Sequence, residues 1–331
     1  MNKATSKTMN ETISKVINNT IKKTIKSSQR ILSVKAQEQG YVITFDAMAS
    51  PCEVLMQTND LALAKLVGRA VSDEVWRIED KFSRYNKNSV CYQINHSSGQ
   101  NIAIDEECYL LLNFAEQCYQ LSDGLFDISA GILNQVWHFD GSANIASAKQ
   151  VASVLPLVGW ENISYQPNSI TLPQGMALDF GGIGKEYAVD RSILLAKQIT
   201  KLPVLVNLGG DLAVTGPRLN GLPWQVAIES IEGTKLNNDN NKDDKDTIIA
   251  LYQGALATSG DSKRFLVKDG RRYSHVLNAL TGWPIEQAPK SITTLAPQCI
   301  QAGMLATLAL LQGEGAEQFL TEQEVTYWSR R

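Results

Sequence analysis

Nothing in this chain approaches the run of about 18 apolar residues that a membrane-spanning helix needs, so no span is expected. No two cysteines stand in a CxxC pair: the five thiols, Cys52, Cys91, Cys108, Cys118 and Cys299, are odd in number and scattered. That argues against a structural zinc site or a disulfide framework and fits a reducing compartment. Basic excess is missing too, with Lys plus Arg at 31 against Asp plus Glu at 34 and a net charge of -3. A dedicated nucleic-acid binder would need clear positive charge for its phosphate contacts, so none is expected. The start of the chain has no apolar core of signal-peptide length, no small-residue cleavage site and no cysteine to carry a lipid, so a cytoplasmic location is expected. What is present is ordinary: 331 residues, 44% hydrophobic and 20% charged, enough for a sizeable core in one large or two fused domains.

The first thirty residues carry seven Lys/Arg and one acid, Glu11, among many Thr, Asn and Ser. Met9, Ile13, Ile17, Ile21 and Ile25 recur every four residues, which on a helix lines one side. Residues 1–38 therefore read as a disordered or weakly amphipathic basic tail, the only part suited to touching a membrane surface. The domain proper is expected over 39–328. Within it, 235–247 contains a run of Asn, Asp and Lys with no apolar residue, which predicts a floppy insertion at a hairpin tip. Its aspartates lack the glycine and terminal glutamate of an EF-hand loop.

Strands are predicted at Tyr41–Phe45, from Glu53 to Met56 after a Ser50-Pro51-Cys52 turn, at Ala177–Phe180, Val204–Asn207, Trp224–Ile228 and Ile248–Ala255. Asn59 and Asp60 offer N-caps to a helix in which Leu63, Val67, Val71, Val75, Ile78 and Phe82 share a face. Further helices are predicted at about 105–121 and 184–198. The segment Leu178-Asp179-Phe180-Gly181-Gly182-Ile183-Gly184-Lys185 ends a strand, turns on glycines and starts a helix. Such a junction lets backbone N–H groups approach a phosphate, although its spacing is neither a Walker A loop nor a GxGxxG fingerprint. By itself it is equally well read as a tight turn.

Asn207-Leu208-Gly209-Gly210-Asp211 repeats the strand-then-glycine logic, and Thr258-Ser259-Gly260-Asp261 precedes Tyr273-Ser274-His275-Val276. Of three histidines only His275 keeps such company; His96 and His138 read as surface or packing residues. A small-residue helix then opens with Ala302-Gly303-Met304-Leu305-Ala306-Thr307.

In this order and spacing the blocks resemble the ApbE family, the FAD:protein FMN transferases, over roughly residues 41 to 328. The resemblance also takes in Met48 in its turn, Phe82-Ser83-Arg84-Tyr85-Asn86 with Ser89 and Asn95, Gly124-Leu125-Phe126-Asp127 with Trp137, and Thr281-Gly282. It implies an α+β fold of mainly antiparallel sheets flanked by helices, two-lobed, with FAD in the cleft. It implies transfer of FMN from FAD to a Ser or Thr hydroxyl of a target flavoprotein, with Mg²⁺ assisting and AMP released. An FAD pyrophosphatase yielding FMN and AMP is the nearest alternative, and a non-catalytic FAD-binding protein the other.

By the same resemblance His275 is the proton acceptor, suited to that work by an unperturbed pKa of about 6.5. Met48, Tyr85, Leu125, Phe126, Asp127, Gly181, Gly182, Lys185, Ser259, Gly260, Asp261, Val276 and Thr281 fall at FAD-holding positions. For the metal, the family has an aspartate four residues before Thr307 and a backbone carbonyl from the glycine turn. Gly184 can supply the carbonyl, but the aspartate position is Gly303. Gly184 and Glu186 also stand where alanine and glycine are usual, and Asn278-Ala279-Leu280 replaces an acidic, proline-containing turn. Either FAD phosphates supply most of the coordination with Asp261 or Glu186 as a substitute carboxylate, or metal binding is weak, or FAD is bound and not cleaved.

Overall fold

The computed structural model describes residues 30–140, 144–231, 247–260, 265–268 and 270–331. Its centre is an antiparallel sheet of eight strands: β1 (Ser33–Gln37), β2 (Gly40–Ala47), β3 (Ser50–Met56), β7 (Val204–Leu208), β8 (Asp211–Val214), β11 (Gly254–Gly260), β16 (Ser291–Ala296) and β17 (Tyr327–Arg330), in that spatial order. Small sheets surround it: β4 (Asn101–Ala103) with β6 (Ser169–Thr171) and β5 (Ser164–Gln166), then the pairs β9 (Trp224–Ile228) with β10 (Thr247–Leu251), β12 (Phe265–Lys268) with β13 (Arg271–Ser274), and β14 (Leu277–Asn278) with β15 (Trp283–Pro284). The helices are α1 (Leu61–Phe82), α2 (Val90–Asn95), α3 (Glu106–Leu121), α4 (Ala148–Val154), α5 (Gly184–Ile199), α6 (Cys299–Leu311) and α7 (Ala316–Glu322).

Side-chain alternation along the strands sorts the core into two layers. Val204, Val206 and Leu208 of β7, Ala213 of β8, and Ala255 and Ala257 of β11 join the cluster formed with α1 and α5. Their neighbours Leu205, Leu212, Val214 and Leu256 point the other way, into a cluster closed by Trp224, Ile228, Ile249 and Leu251 of the β9–β10 hairpin. Small residues on the helix side of β11 let α6 lie close to the sheet. The first helix starts where its cap predicts, Asp60 accepting from the N–H of Ala62 and Leu63 at 2.8 and 3.0 Å, and the structure adds a cap at Asp105, which accepts from Cys108 N–H at 3.0 Å.

Four expectations need correction. Ser33–Gln37 is not tail but an edge strand in register with Gly40–Thr44, and Arg30 pairs with Asp80 at 2.7 Å, so the domain begins before residue 39. The β2–β3 turn is Met48-Ala49, with φ of 50° and 56°, rather than Ser50-Pro51-Cys52. Both positive φ values match the twist of a two-residue hairpin, a conformation unusual for alanine. Ile248–Ala255 is two strands separated by Tyr252-Gln253, the second opening at Gly254, where φ is +84°.

Finally, Ala177–Phe180 is not a strand. Asn95 stands in for a neighbouring strand: its Nδ2 donates to the Leu178 carbonyl at 2.9 Å and its Oδ1 accepts from the Leu178 N–H at 2.7 Å. The reading of residues 1–29 and most of the 235–247 insertion lie outside the described residues, though β9 and β10 do pair as hairpin arms and Thr247 already belongs to β10.

Candidate active site at the start of α5

The glycine turn is a short 3-10 turn, Phe180–Gly182, that runs into α5. Asp179 caps it, accepting from Gly181 N–H at 2.8 Å, and its other oxygen takes the Arg84 guanidinium at 2.7 Å. Arg84 in turn donates to the Tyr85 hydroxyl at 2.6 Å and lies 4.8 Å from the centre of its ring. Tyr85, 77% exposed, is thereby held near the turn as an open aromatic platform. A Cβ on Gly182 would come within 3.3 Å of the Phe126 ring, so a second aromatic lies directly against the turn. Gly184 is buried, yet a Cβ there would meet no atom within 4 Å, which marks open space at the head of the helix.

Lys185 is committed. Its ammonium pairs at 2.6 Å with Asp211, a carboxylate only 1% exposed. Asp211 closes the second glycine turn, Gly209-Gly210 between β7 and β8, and also accepts from Thr258 N–H at 3.1 Å. The ion pair thus ties the first glycine turn to the second and to β11. On the other side, Gly209 approaches Ser50 so closely that a Cβ would fall 2.6 Å from that of Ser50. This contact brings the Met48-Ala49 turn alongside, where Met48 N–H donates to Glu79 at 2.6 Å.

At the far side of α5, Ser259 Oγ lies 2.6 Å from Thr307 Oγ1. Gly260 is required by a close approach, since a Cβ would sit 2.4 Å from the Lys290 carbonyl oxygen. Asp261 lies outside the described residues. Gly303 is occupied by another residue's side chain: a Cβ there would be 2.6 Å from Glu186 Cγ and 2.8 Å from its Oε1. Glu186 is buried, and burial followed by the nearby Asp211 charge pushes its carboxyl well above the usual carboxylate range, against the pull of Lys185. Its Oε2 finds no hydrogen-bond donor among the described residues.

His275 follows β13, half-buried, edge-on to Phe139 at 6.3 Å between ring centres. That ring belongs to an aromatic group with Trp137, Tyr273 and Trp283. The chain neighbour of His275, Val276, packs on the cluster that contains Ala306 of α6. Thr281 is exposed in the turn after β14. There Asn278 Oδ1 accepts from Leu280 N–H at 2.9 Å and so holds the turn. Leu280 would meet a Cβ on Gly124 at 3.4 Å, and this brings the Leu125-Phe126 turn to the Thr281 turn.

Asp127 differs from the rest. Its oxygens accept from Ser129 N–H at 2.7 Å and Trp160 N–H at 2.9 Å, and it is buried, so it braces the turn that presents Leu125 and Phe126. His96 is exposed and stacks on Tyr92 at 3.7 Å between ring centres. Sequence reasoning missed Arg84, Asp179 and Asp211 as the polar ties of the site, because an ion pair between distant segments leaves no spacing signal. It also missed Asp190, which accepts from the N–H of Cys299 and Ile300 at 2.8 and 2.9 Å and so caps α6 from α5. Among the described residues no group of three or more His, Cys, Asp or Glu gathers in the manner of a metal cage, and no helix is long and apolar enough to cross a membrane.

This architecture and sequence have known counterparts. The chain is 27% identical over 269 residues to the FAD:protein FMN transferase of Vibrio cholerae, covering 78% of this chain and 77% of that protein. It is 27% identical over 248 residues to the enzyme of the same name from Haemophilus influenzae, covering 72% and 70%. The crystal structure of the ApbE protein from Thermotoga maritima superposes with a TM-score of 0.75 at 26% identity over 90% of this chain and 93% of that one. The apo form of the Pseudomonas stutzeri flavinyl transferase ApbE, at 24% identity and a TM-score of 0.74 over 92% of each chain, shares the fold. The model of the ApbE family matches residues 13–328, almost the whole length, and the chain belongs to that family.

Proposed function

We propose that this protein is a flavin transferase: it takes the FMN half of FAD and attaches it through its phosphate to a Ser or Thr hydroxyl of an acceptor flavoprotein. The observation that carries this reading is convergence. Segments around Met48, Tyr85, Phe126, Gly182, Asp211, Ser259 and Thr307 are joined by a relay of contacts that passes through the glycine-led start of α5. Exposed N–H groups at a helix start favour an anionic phosphate, and the flanking rings suit a flat isoalloxazine or adenine.

In the proposed step the acceptor hydroxyl oxygen bonds to the phosphorus of the FMN phosphate as the bond from that phosphorus to the bridging oxygen breaks. AMP leaves with the bridging oxygen, and the hydroxyl proton passes to His275. Tyr85, Leu125, Phe126 and Met48 hold FAD at its ring ends, while Gly181 and Gly182 admit its phosphates. Lys185 and Asp127 act by fixing the turns rather than by reaching substrate. The Gly184 carbonyl and the Thr307 hydroxyl are oxygen donors of the kind Mg²⁺ prefers. When bound there, Mg²⁺ supplies positive charge to offset that on the phosphate oxygens. Gly303 itself has no side chain to offer.

The buried thiols, all unpaired, support transfer in a reducing compartment, and we place the reaction in the cytoplasm. Native protein recovered in a periplasmic fraction would contradict that placement. The decisive test incubates the protein with FAD, titrated Mg²⁺ and a domain bearing a flavinylation Ser or Thr. FMN on the acceptor with an equal amount of AMP is expected. AMP without modified acceptor would make it a pyrophosphatase, and intact FAD at every Mg²⁺ concentration would make it a binding protein.

A further inference from the structure

Two contacts set the register of α5 against α6. Asp190 meets the amides of Cys299 and Ile300, and one turn earlier Glu186 meets Gly303. Earlier residues of α5 therefore face later residues of α6, an antiparallel pairing that continues from Gly303 toward Thr307 one turn on. Glu186 fills the volume that any side chain at 303 would need, so a carboxylate reaches this helix face from α5 instead of from α6 itself. It is 7% exposed and its Oε2 meets no donor. The nearest cation, Lys185, is already held by Asp211 at 2.6 Å. Beyond its own backbone N–H and the charge of Lys185, an ionised carboxylate so placed has no partner for Oε2, and buried charges are retained where they are paired or bind metal. One turn along α6 from Gly303, the Thr307 hydroxyl pairs with that of Ser259, and both are hard oxygens.

We infer that Glu186 is the carboxylate donor of this protein's divalent-cation site, delivered across the gap left by Gly303. It is a direct ligand, not a filler of the helix contact. Substrate phosphate oxygens and water complete the shell, the usual arrangement for Mg²⁺ held by one or two carboxylates. The inference rests on the proposed reading of the site as one of cation-assisted phosphoryl transfer.

The test titrates Mn²⁺ into the full-length protein with saturating FAD and no acceptor, and follows free Mn²⁺ by electron paramagnetic resonance. Glu186→Gln should weaken Mn²⁺ by at least the roughly 10–100-fold that loss of a ligand's orienting partner costs. FAD affinity measured without divalent metal should not weaken, since the flavin and adenine contacts remain and a negative charge beside the phosphates is removed. The double variant Glu186→Gly/Gly303→Asp moves the carboxylate to the facing helix and should recover Mn²⁺ affinity to within about 3-fold of wild type. Glu186→Gln binding Mn²⁺ as tightly as wild type would overturn the inference, as would wild-type protein that binds no Mn²⁺ beyond what FAD alone binds. Failure of the transferase reading looks different: Mn²⁺ binding stays dependent on Glu186 while the acceptor remains unmodified.

Discussion

Replacing Gly303 by alanine should change sign with the residue at 186. Alanine is the better helix former by about 0.8–1.0 kcal/mol, so at an open position in α6 it would stabilise the protein. Here its Cβ would stand 2.6 Å from Glu186 Cγ and 2.9 Å from Cδ, inside normal contact distance. Glu186 is buried and cannot swing into solvent, and overpacking of this kind costs about 1–3 kcal/mol. Gly303→Ala should therefore be neutral to destabilising by about 2 kcal/mol in the wild type. In a Glu186→Ala background the obstruction is gone, and the same change should stabilise by about 1 kcal/mol. Urea denaturation of the four proteins, with an unchanged slope as the control for comparability, gives the coupling directly. A midpoint raised equally by Gly303→Ala in both backgrounds would refute the packing of Glu186 over Gly303. Gly303→Asp alone meets the same obstruction, adds a like charge, and should destabilise rather than strengthen the metal site.

Ala49→Gly relieves a φ of 56° in the β2–β3 turn and should raise stability by about 1 kcal/mol, read from the urea midpoint; a lower midpoint would argue against that turn. Asp190→Ala removes the acceptor for two α6 amides and should cost about 1–2 kcal/mol, with faster amide exchange at Cys299 and Ile300 than at the middle of α6. Against the upward push of burial, Arg77, Lys81 and Tyr187 bring the Glu107 carboxyl from 4.5 down to about 2. A depressed carboxylate contributes stability that is complete above about pH 4.5 and is lost as pH falls toward 2. Glu107→Gln should therefore flatten stability between those pH values and cost about 1–2 kcal/mol at pH 7, discounted because Arg77 is 42% exposed; an unchanged acid limb would count against the cluster. His275→Ala should abolish FMN transfer and leave FAD bound, as measured by modified acceptor and by flavin fluorescence titration; full transfer would remove His275 from its role.

What could be read from sequence was local. Asp60 announces a helix start because an aspartate caps the amides two or three residues on, and the α5 start announces itself through its glycines. The blocks around Tyr85, Phe126, Ser259 and His275 were legible as a set because their order matched a family, not because any spacing revealed a cleft. What escaped depends on partners far along the chain. Ala177–Phe180 has a strand's composition, yet Asn95, more than eighty residues earlier, takes the backbone groups a strand partner would use. Asp127 looks like a ligand contact until Trp160 is placed beside it. Glu186 near the head of a helix had a complete local account in the helix dipole, and only the fold puts Gly303 opposite it.

The seating of Glu186 over Gly303 also bears on history. If an ancestor carried the family's glycine and aspartate at these positions, the order of the two replacements was not free. Gaining Glu186 first would have forced two carboxylates into one buried space. Losing the aspartate first would leave a gap and a weaker site in a chain that still folds. The path through an intermediate with glycine at both positions is the open one, so relatives sampled along this lineage should include the pair Gly/Gly far more often than Glu/Asp.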